Sequence, residues 1–178
     1  MAANLLHIHL LGDFRLIDGD EPVTAVNSPR MQSLLTYLLL HRAAPQPRYH
    51  VAFLLWPDSP ESQARSNLRN LLHRLRHAFP GIEAFLQEDN RDLCWRADAP
   101  FTFDVADFEN ALAQAQEAER AGDQDALQEA LERAGGHYSG DLLPSCYDEW
   151  ILAQREQLRQ AFLEALERLS ILQENRRY

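Results

Sequence analysis

The chain has 178 residues, 46% of them hydrophobic, and a formal net charge of -10, which is length enough for two compact domains and apolar material enough for buried cores. All 17 basic residues are arginines, and a protein without lysine can neither form a Schiff base nor supply the phosphate-binding lysine of a P-loop. Cys94 and Cys146 lack metal-ligand or paired-redox spacing, so no zinc site or disulfide framework is indicated; short apolar runs and the lack of a signal-peptide pattern point to a cytoplasmic protein with no membrane partner.

In chain order, "LLHIHLLGDFRLIDGDEPV" alternates apolar residues at strand spacing around Gly12 and Asp18-Gly19, predicting a small antiparallel sheet. A first helix follows, with Ser28 as N-cap, Pro29 at its first position, Met31, Leu34, Leu35 and Leu38 on one face, and Pro45 beyond it as a stop. A second runs from about Arg48 to Trp56, turning Val51, Leu54 and Leu55 inward, with Pro57 ending it. The third begins at Ser59-Pro60 and continues to Phe79 before Pro80-Gly81. "EAFLQEDNRDLCWRA" then reads as strand, polar turn and strand.

Beyond Pro100 the sequence becomes alanine- and glutamate-rich. Phe108, Ala111, Leu112 and Ala115 form one helical stripe that Gly122 breaks, and Leu127, Ala130, Leu131 and Ala134 form another that ends before Gly135-Gly136. A turn, "YSGDLLPSCY", leads into a long helix from Asp148 with Ile151, Leu158, Phe162, Leu166, Leu169 and Leu172 in register. Paired helices at a spacing of roughly 34 residues suggest a tetratricopeptide-like array, here only begun. The expected fold is therefore mainly α with small β-sheets. Its domains are expected at 1–100, a winged helix-turn-helix, and at 101–178, a helical and incomplete array.

Charge is distributed unevenly. Residues 101–178 carry seven arginines against sixteen acids, whereas residues 22–82 carry seven arginines against only Asp58 and Glu61, a local net of +5. The third helix concentrates this excess: "RSNLRNLLHRLRHAF" holds four arginines, two histidines and no acid. At 100° per residue, Leu68, Leu71, Leu72, Leu75 and Phe79 share a narrow core face. Ser66, Asn70, His73 and His77 point away from it, with Gln63, Asn67 and Arg74 on one flank and Arg65, Arg69 and Arg76 on the other. Amides, hydroxyl, imidazole and guanidinium are groups able to read base edges in a major groove, and a lateral arginine row suits phosphates. Sheet, three helices and a terminal hairpin, with the basic helix third, is also the order of a winged helix-turn-helix. We therefore expect Ser66, Asn67, Asn70, His73 and Arg74 to read bases of double-stranded DNA. Arg65, Arg69, Arg76 and Arg91, the last at the hairpin tip, are expected to meet its backbone.

Four stretches, "LLGDFRLIDGDEPV", "SPRMQSLLTYLLLHRAA", "LLWPDSPESQARSNLRNLLHRLRHAF" and "YSGDLLPSCYDEWILAQREQLR", together resemble the SARP family of bacterial transcriptional activators, the Streptomyces antibiotic regulatory proteins. That family joins an OmpR-like winged helix to a bacterial transcriptional activator domain. The resemblance implies a transcriptional regulator, an activator, that recognises promoter repeats through a recognition helix at 60–79 and a wing at 84–97, dimerises on DNA and contacts RNA polymerase. Asp58 and Glu61 in "WPDSPE" are candidates for that contact, with capping of the third helix as the alternative. One departure is "DLCWRA" in the second wing strand, where the family commonly has Gly-Tyr-Arg-Leu.

Other candidates have simpler readings. His7 and His9 alternate on a strand without a third ligand at suitable spacing. Asp141, Asp148 and Glu149 could be imagined as an acid/base cluster, but the latter two stand where a helix N-terminus favours carboxylates. Cys94 is expected to pack, and Trp56 to fill the junction of helices two and three. With no phosphate loop, nucleophile elbow or ligand helix, neither an enzyme nor a cofactor nor a metal is expected. The rival function is a protein-interaction module in which the helical array binds a partner and the winged helix is a scaffold.

Overall fold

The structure, a computed structural model, describes residues 3–177. By internal compactness they divide into two units, residues 3–7 with 15–101 and residues 8–14 with 102–177. The architecture is mainly helical with two small sheets, and no helix among the described residues is long and apolar enough to cross a membrane.

The N-terminal strands are β1 (Leu6–His9), β2 (Arg15–Asp18) and β3 (Glu21–Pro22), and with a late strand, β7 (Phe101–Phe103), they form a sheet in the order β3-β2-β1-β7. Leu6, Ile8 and Leu16 are buried while their strand neighbours are less so, the period-two alternation that the sequence shows. Gly19 adopts φ +63° in the β2–β3 turn, a left-handed backbone that side-chain-bearing residues avoid.

Helix α1 (Pro29–Leu40) starts as its sequence predicts: the Ser28 hydroxyl accepts the Met31 N–H at 3.2 Å with Pro29 in the first turn. It ends at His41, four residues before Pro45, and it is buried nearly all round, Ser33, Thr36 and Tyr37 included. A central helix surrounded by its neighbours cannot be told from a one-sided one by periodicity alone. Strand β4 (Gln46–Pro47) leads into α2 (Arg48–Leu55), which buries Val51, Ala52 and Leu55 and leaves Leu54 half-buried. Helix α3 (Glu61–Ala78) buries Ala64, Leu68, Leu71, Leu72 and Leu75, and Phe79 closes its core face.

After a short 3-10 turn at Ile82–Ala84 come β5 (Leu86–Glu88) and β6 (Asp92–Trp95), the expected antiparallel hairpin, with Leu86 opposite Trp95. β4 joins the hairpin by pairing with β6, Gln46 opposite Leu93, so the hairpin belongs to a three-stranded sheet in the order β4-β6-β5. Phe79, Phe85 and Trp95 stack in series beneath it, with centroid spacings of 6.2 and 5.9 Å.

In the second unit α4 (Asp104–Ala121), α5 (Gln124–His137) and α6 (Glu149–Asn175) make the helical part. Gly122 ends α4 at φ +70°, as expected of a glycine C-cap, and the Asp123 carboxylate caps α5 by accepting the Ala126 N–H at 3.0 Å. The expected break at Gly135-Gly136 does not occur: both lie inside α5, whose buried stripe Leu127, Ala130, Leu131 and Ala134 carries the helix through them. On α6, Ile151, Leu158 and Ala165 are buried and Leu169 and Leu172 pack on the α4–α5 core, but Leu166, expected inward, is 42% exposed.

Candidate nucleic-acid interface

Helix α3 presents a basic surface because its apolar residues recur every three to four positions and occupy one side. The last turn, carrying Arg76 and His77, also suits the negative end of the helix dipole. At its start Pro60 holds the N-cap position without a side-chain hydrogen bond, so neither Asp58 nor Glu61 caps the helix. Glu61 instead pairs with Arg65 one turn on, at 2.7 Å.

Of the residues expected to read bases, Asn70, His73 and Arg74 are exposed, whereas Ser66 and Asn67 are half-buried. Asn67 is further engaged, its side-chain oxygen accepting the Gln63 amide at 2.8 Å. The histidines touch each other: Nε2 of His73 and Nε2 of His77 lie 3.2 Å apart.

Of the residues expected to meet the backbone, Arg65, Arg69 and Arg91 are exposed; Arg76 is half-buried and paired with Glu88 on β5. Arg91 stands at the hairpin tip, where the Asp89 carboxylate accepts the N–H groups of Arg91 and Asp92 at 2.7 and 2.8 Å. These two bonds hold the Asp89 carboxyl below its usual range.

Arg48 was not singled out by the sequence. Its backbone N–H donates to the Arg91 carbonyl at 2.7 Å, and its guanidinium lies 3.1 Å from the Asp89 carbonyl and 3.5 Å from Glu88. Burial, followed by the charges of Arg69 and Arg76, depresses its pKa, an electrostatic sign of cations gathered at one place. Arg48, Arg65, Arg69 and Arg91 line one cleft of about 570 Å³ between the flank of α3 and the hairpin tip. Arg48 does stand in the basic window, but its arrival there depends on a two-residue strand, β4, too short to leave a periodic signal. Four guanidinium groups around a concave surface are suited to phosphate oxygens, and the outward polar row of α3 is suited to base edges.

Trp56 is less buried than expected. It lies under the Arg30 guanidinium, 5.8 Å from the ring centroid, and borders a groove with Tyr49 and Phe53, each 65% exposed. Cys94 is half-buried on β6 and Cys146 is buried, and the two are not joined in a disulfide.

Asp141 and Asp148 of the second unit are engaged in hydrogen bonds within the fold. Asp141 accepts the Tyr138 hydroxyl and the Arg159 Nε, each at 3.0 Å. Arg159 holds the Asp141 carboxyl below its usual range, while burial and that hydrogen bond push the Tyr138 phenol up to about 12. Asp148 precedes α6 and accepts the indole N–H of Trp150 at 3.3 Å, with Glu149 in the first helical turn.

Residues 103–175 match the bacterial transcriptional activator domain family. Over 163 residues, 91% of this chain, the sequence is 28% identical to the regulatory protein AfsR of Streptomyces coelicolor, of which it spans 16%. Among solved structures, Mycobacterium tuberculosis EmbR in complex with a low-affinity phosphopeptide shares the fold, with a TM-score of 0.64 at 19% identity over 94% of this chain and 43% of that one. The chain thus spans less than half the length of either relative. The motif resemblance thus meets a bacterial transcriptional activator domain at residues 103–175 and sequence similarity to AfsR over most of the chain, while EmbR shares the fold.

Proposed function

We propose that this chain, whose residues 103–175 match the bacterial transcriptional activator domain family and which is similar in sequence to AfsR over most of its length, is a sequence-specific regulator that binds double-stranded DNA. In this reading residues up to about 100 act as a winged helix-turn-helix. Helix α3 enters the major groove, with Asn70, His73 and Arg74 foremost in base contact and Ser66 and Asn67 reaching the edge of the interface. The β5–β6 hairpin is the wing, and Arg91 meets the backbone. The observation that carries the proposal is the convergence of Arg48, Arg65, Arg69 and Arg91 on one cleft beside the exposed polar row of α3, in a chain whose net charge is -10. A local cationic surface of this kind survives the acidic remainder because charges more than about 8 Å apart in water are largely screened at physiological salt.

Promoter repeats, pairing of two copies on DNA and contact with RNA polymerase extend the same reading, with activation as the outcome. The exposed face of α6, with Leu152, Leu163 and Ile171 each close to half accessible, favours a second reading in which the helical part docks a protein. Selection of bound duplexes from a random library at physiological salt separates the two. An enriched motif, occurring as a direct repeat, is the expected result. Equal, weak and steeply salt-dependent binding to every duplex would reject sequence-specific recognition and leave the docking module.

A further inference from the structure

His73 and His77 stand one helical turn apart on the exposed side of α3, with ring centroids 4.5 Å apart and planes at 75°. Their Nε2 atoms lie 3.2 Å apart, facing each other. A hydrogen bond between two such nitrogens requires one to donate and one to accept. When the donating ring takes its other neutral tautomer, both Nε2 atoms carry lone pairs, and a small turn of the exposed rings aims both at one ion beside the N···N axis. An ion seated about 2.05 Å from each, the usual zinc–imidazole distance, sees the 3.2 Å bite at an angle of about 100°. That lies between the right angle of octahedral coordination and the tetrahedral angle, so the spacing of the pair suits a chelated metal.

We propose that His73 and His77 form a two-ligand site for a borderline transition-metal dication, of which zinc is the test case, with water completing its coordination. Calcium and magnesium are excluded by their preference for oxygen ligands. Arg69 and Arg74, within a turn of the pair, repel a cation, while Arg76 is neutralised by Glu88. That repulsion is an exposed-charge effect and shrinks with salt, whereas the nitrogen–metal bonds do not. Coordination by this pair is therefore distinguished from loose attraction of cations to an acidic chain: the first holds or strengthens as salt rises and the second fades. If α3 reads DNA as proposed above, a bound ion withdraws His73 from the bases, and zinc competes with duplex.

The test is calorimetric titration of the whole chain with zinc chloride at neutral pH, at low and at high sodium chloride, for the wild type, H73A, H77A and H137A. The expected result is one saturable site whose affinity does not fall with salt, is reduced at least about tenfold by H73A and by H77A alike, and is unchanged by H137A. The absence of a saturable site, its survival in either H73A or H77A, or a steep loss of affinity with salt would overturn the proposal. Both histidines are exposed, so unchanged circular dichroism is expected of the variants. A duplex that fails to bind even without zinc would count against the DNA reading and leave zinc binding by the pair standing on its own titration.

Discussion

Asp104 is a charged side chain with a purely structural position. It is 7% exposed, and its carboxylate accepts the N–H groups of Leu10, at 3.0 and 2.9 Å, and of Leu11, at 2.8 Å. Burial raises its pKa, against the lowering effect of those hydrogen bonds. A carboxyl with a raised folded-state pKa binds more protons in the native than in the unfolded chain, so its contribution is full below the usual carboxylate range and declines as pH rises through the raised value. D104N should lose this pH slope. It should also be less stable by about 1–3 kcal/mol at neutral pH, because an amide nitrogen cannot accept the bonds that the lost oxygen took. Urea midpoints measured across pH 3–8 check both parts, and a variant that keeps the wild-type slope would assign it to another group. On α3 the same scale separates two arginines. R74A should relax preference at one or two base positions, at a cost of about 1–3 kcal/mol on selected DNA, and R69A should weaken all duplexes alike. Anisotropy titrations on selected and scrambled duplexes tell these apart. The angular position of Arg69 and Arg74 was legible from 100° per residue. The pairing of Arg76 with Glu88 was not, since it depends on how the hairpin folds back onto the helix.

Among the elements, the segment between α5 and α6 shows why a motif can be specific without carrying chemistry. In "YSGDLLPSCY" Leu143 adopts φ +37°, a strained backbone for a branched residue. Arg155 of α6 ties the segment down, donating to the carbonyls of Leu142, Leu143 and Cys146 at 2.8, 2.5 and 2.7 Å. Gly140 and Gly12 approach so closely that a Cβ on Gly140 would lie 3.1 Å from the Gly12 Cα. R155A should therefore lower stability by about 2–4 kcal/mol, through three carbonyls left without their charged donor. R155K should recover only part, since an ammonium lacks the planar fork. Thermal unfolding of the pair checks this, and full recovery by lysine would mean that charge alone suffices. Acid should loosen the same region. The Asp141 pKa is lowered chiefly by Arg159, so its contribution is present above the usual carboxylate range and is lost as pH falls through the depressed value. The long helices were legible because their apolar stripes are long. Two short strands, β4 and β7, were missed because two or three residues carry no period, and α5 overran its double glycine because burial on one face outweighed local propensity.

For the molecule as a whole, net charge misleads. Residues 3–7 with 15–101 hold ten arginines and ten acids, so the unit with the basic cleft is neutral overall, while residues 8–14 with 102–177 hold seven arginines against seventeen acids and carry the entire -10. Sequence made this asymmetry visible, but not how few of the arginines stand ready for phosphate, because Glu88 engages both Arg76 and Arg48. If the three cleft arginines that Glu88 does not engage, Arg65, Arg69 and Arg91, each displace a counterion, log affinity for random duplex should fall against log salt with a slope of about -2.7 near physiological salt, and R69A should flatten it by about 0.9. E88Q should do the opposite, steepening the slope and tightening random binding as Arg48 and Arg76 are released. At salt low enough for the Debye length to reach about 30 Å, the acidic unit is no longer screened from the approaching DNA. The line should then bend toward weaker binding than its extrapolation. Anisotropy titrations carried down to about 0.01 M salt measure this bend. A line straight to the lowest salt would mean that the acidic unit is electrostatically silent toward DNA and that selectivity rests on α3 and the hairpin alone.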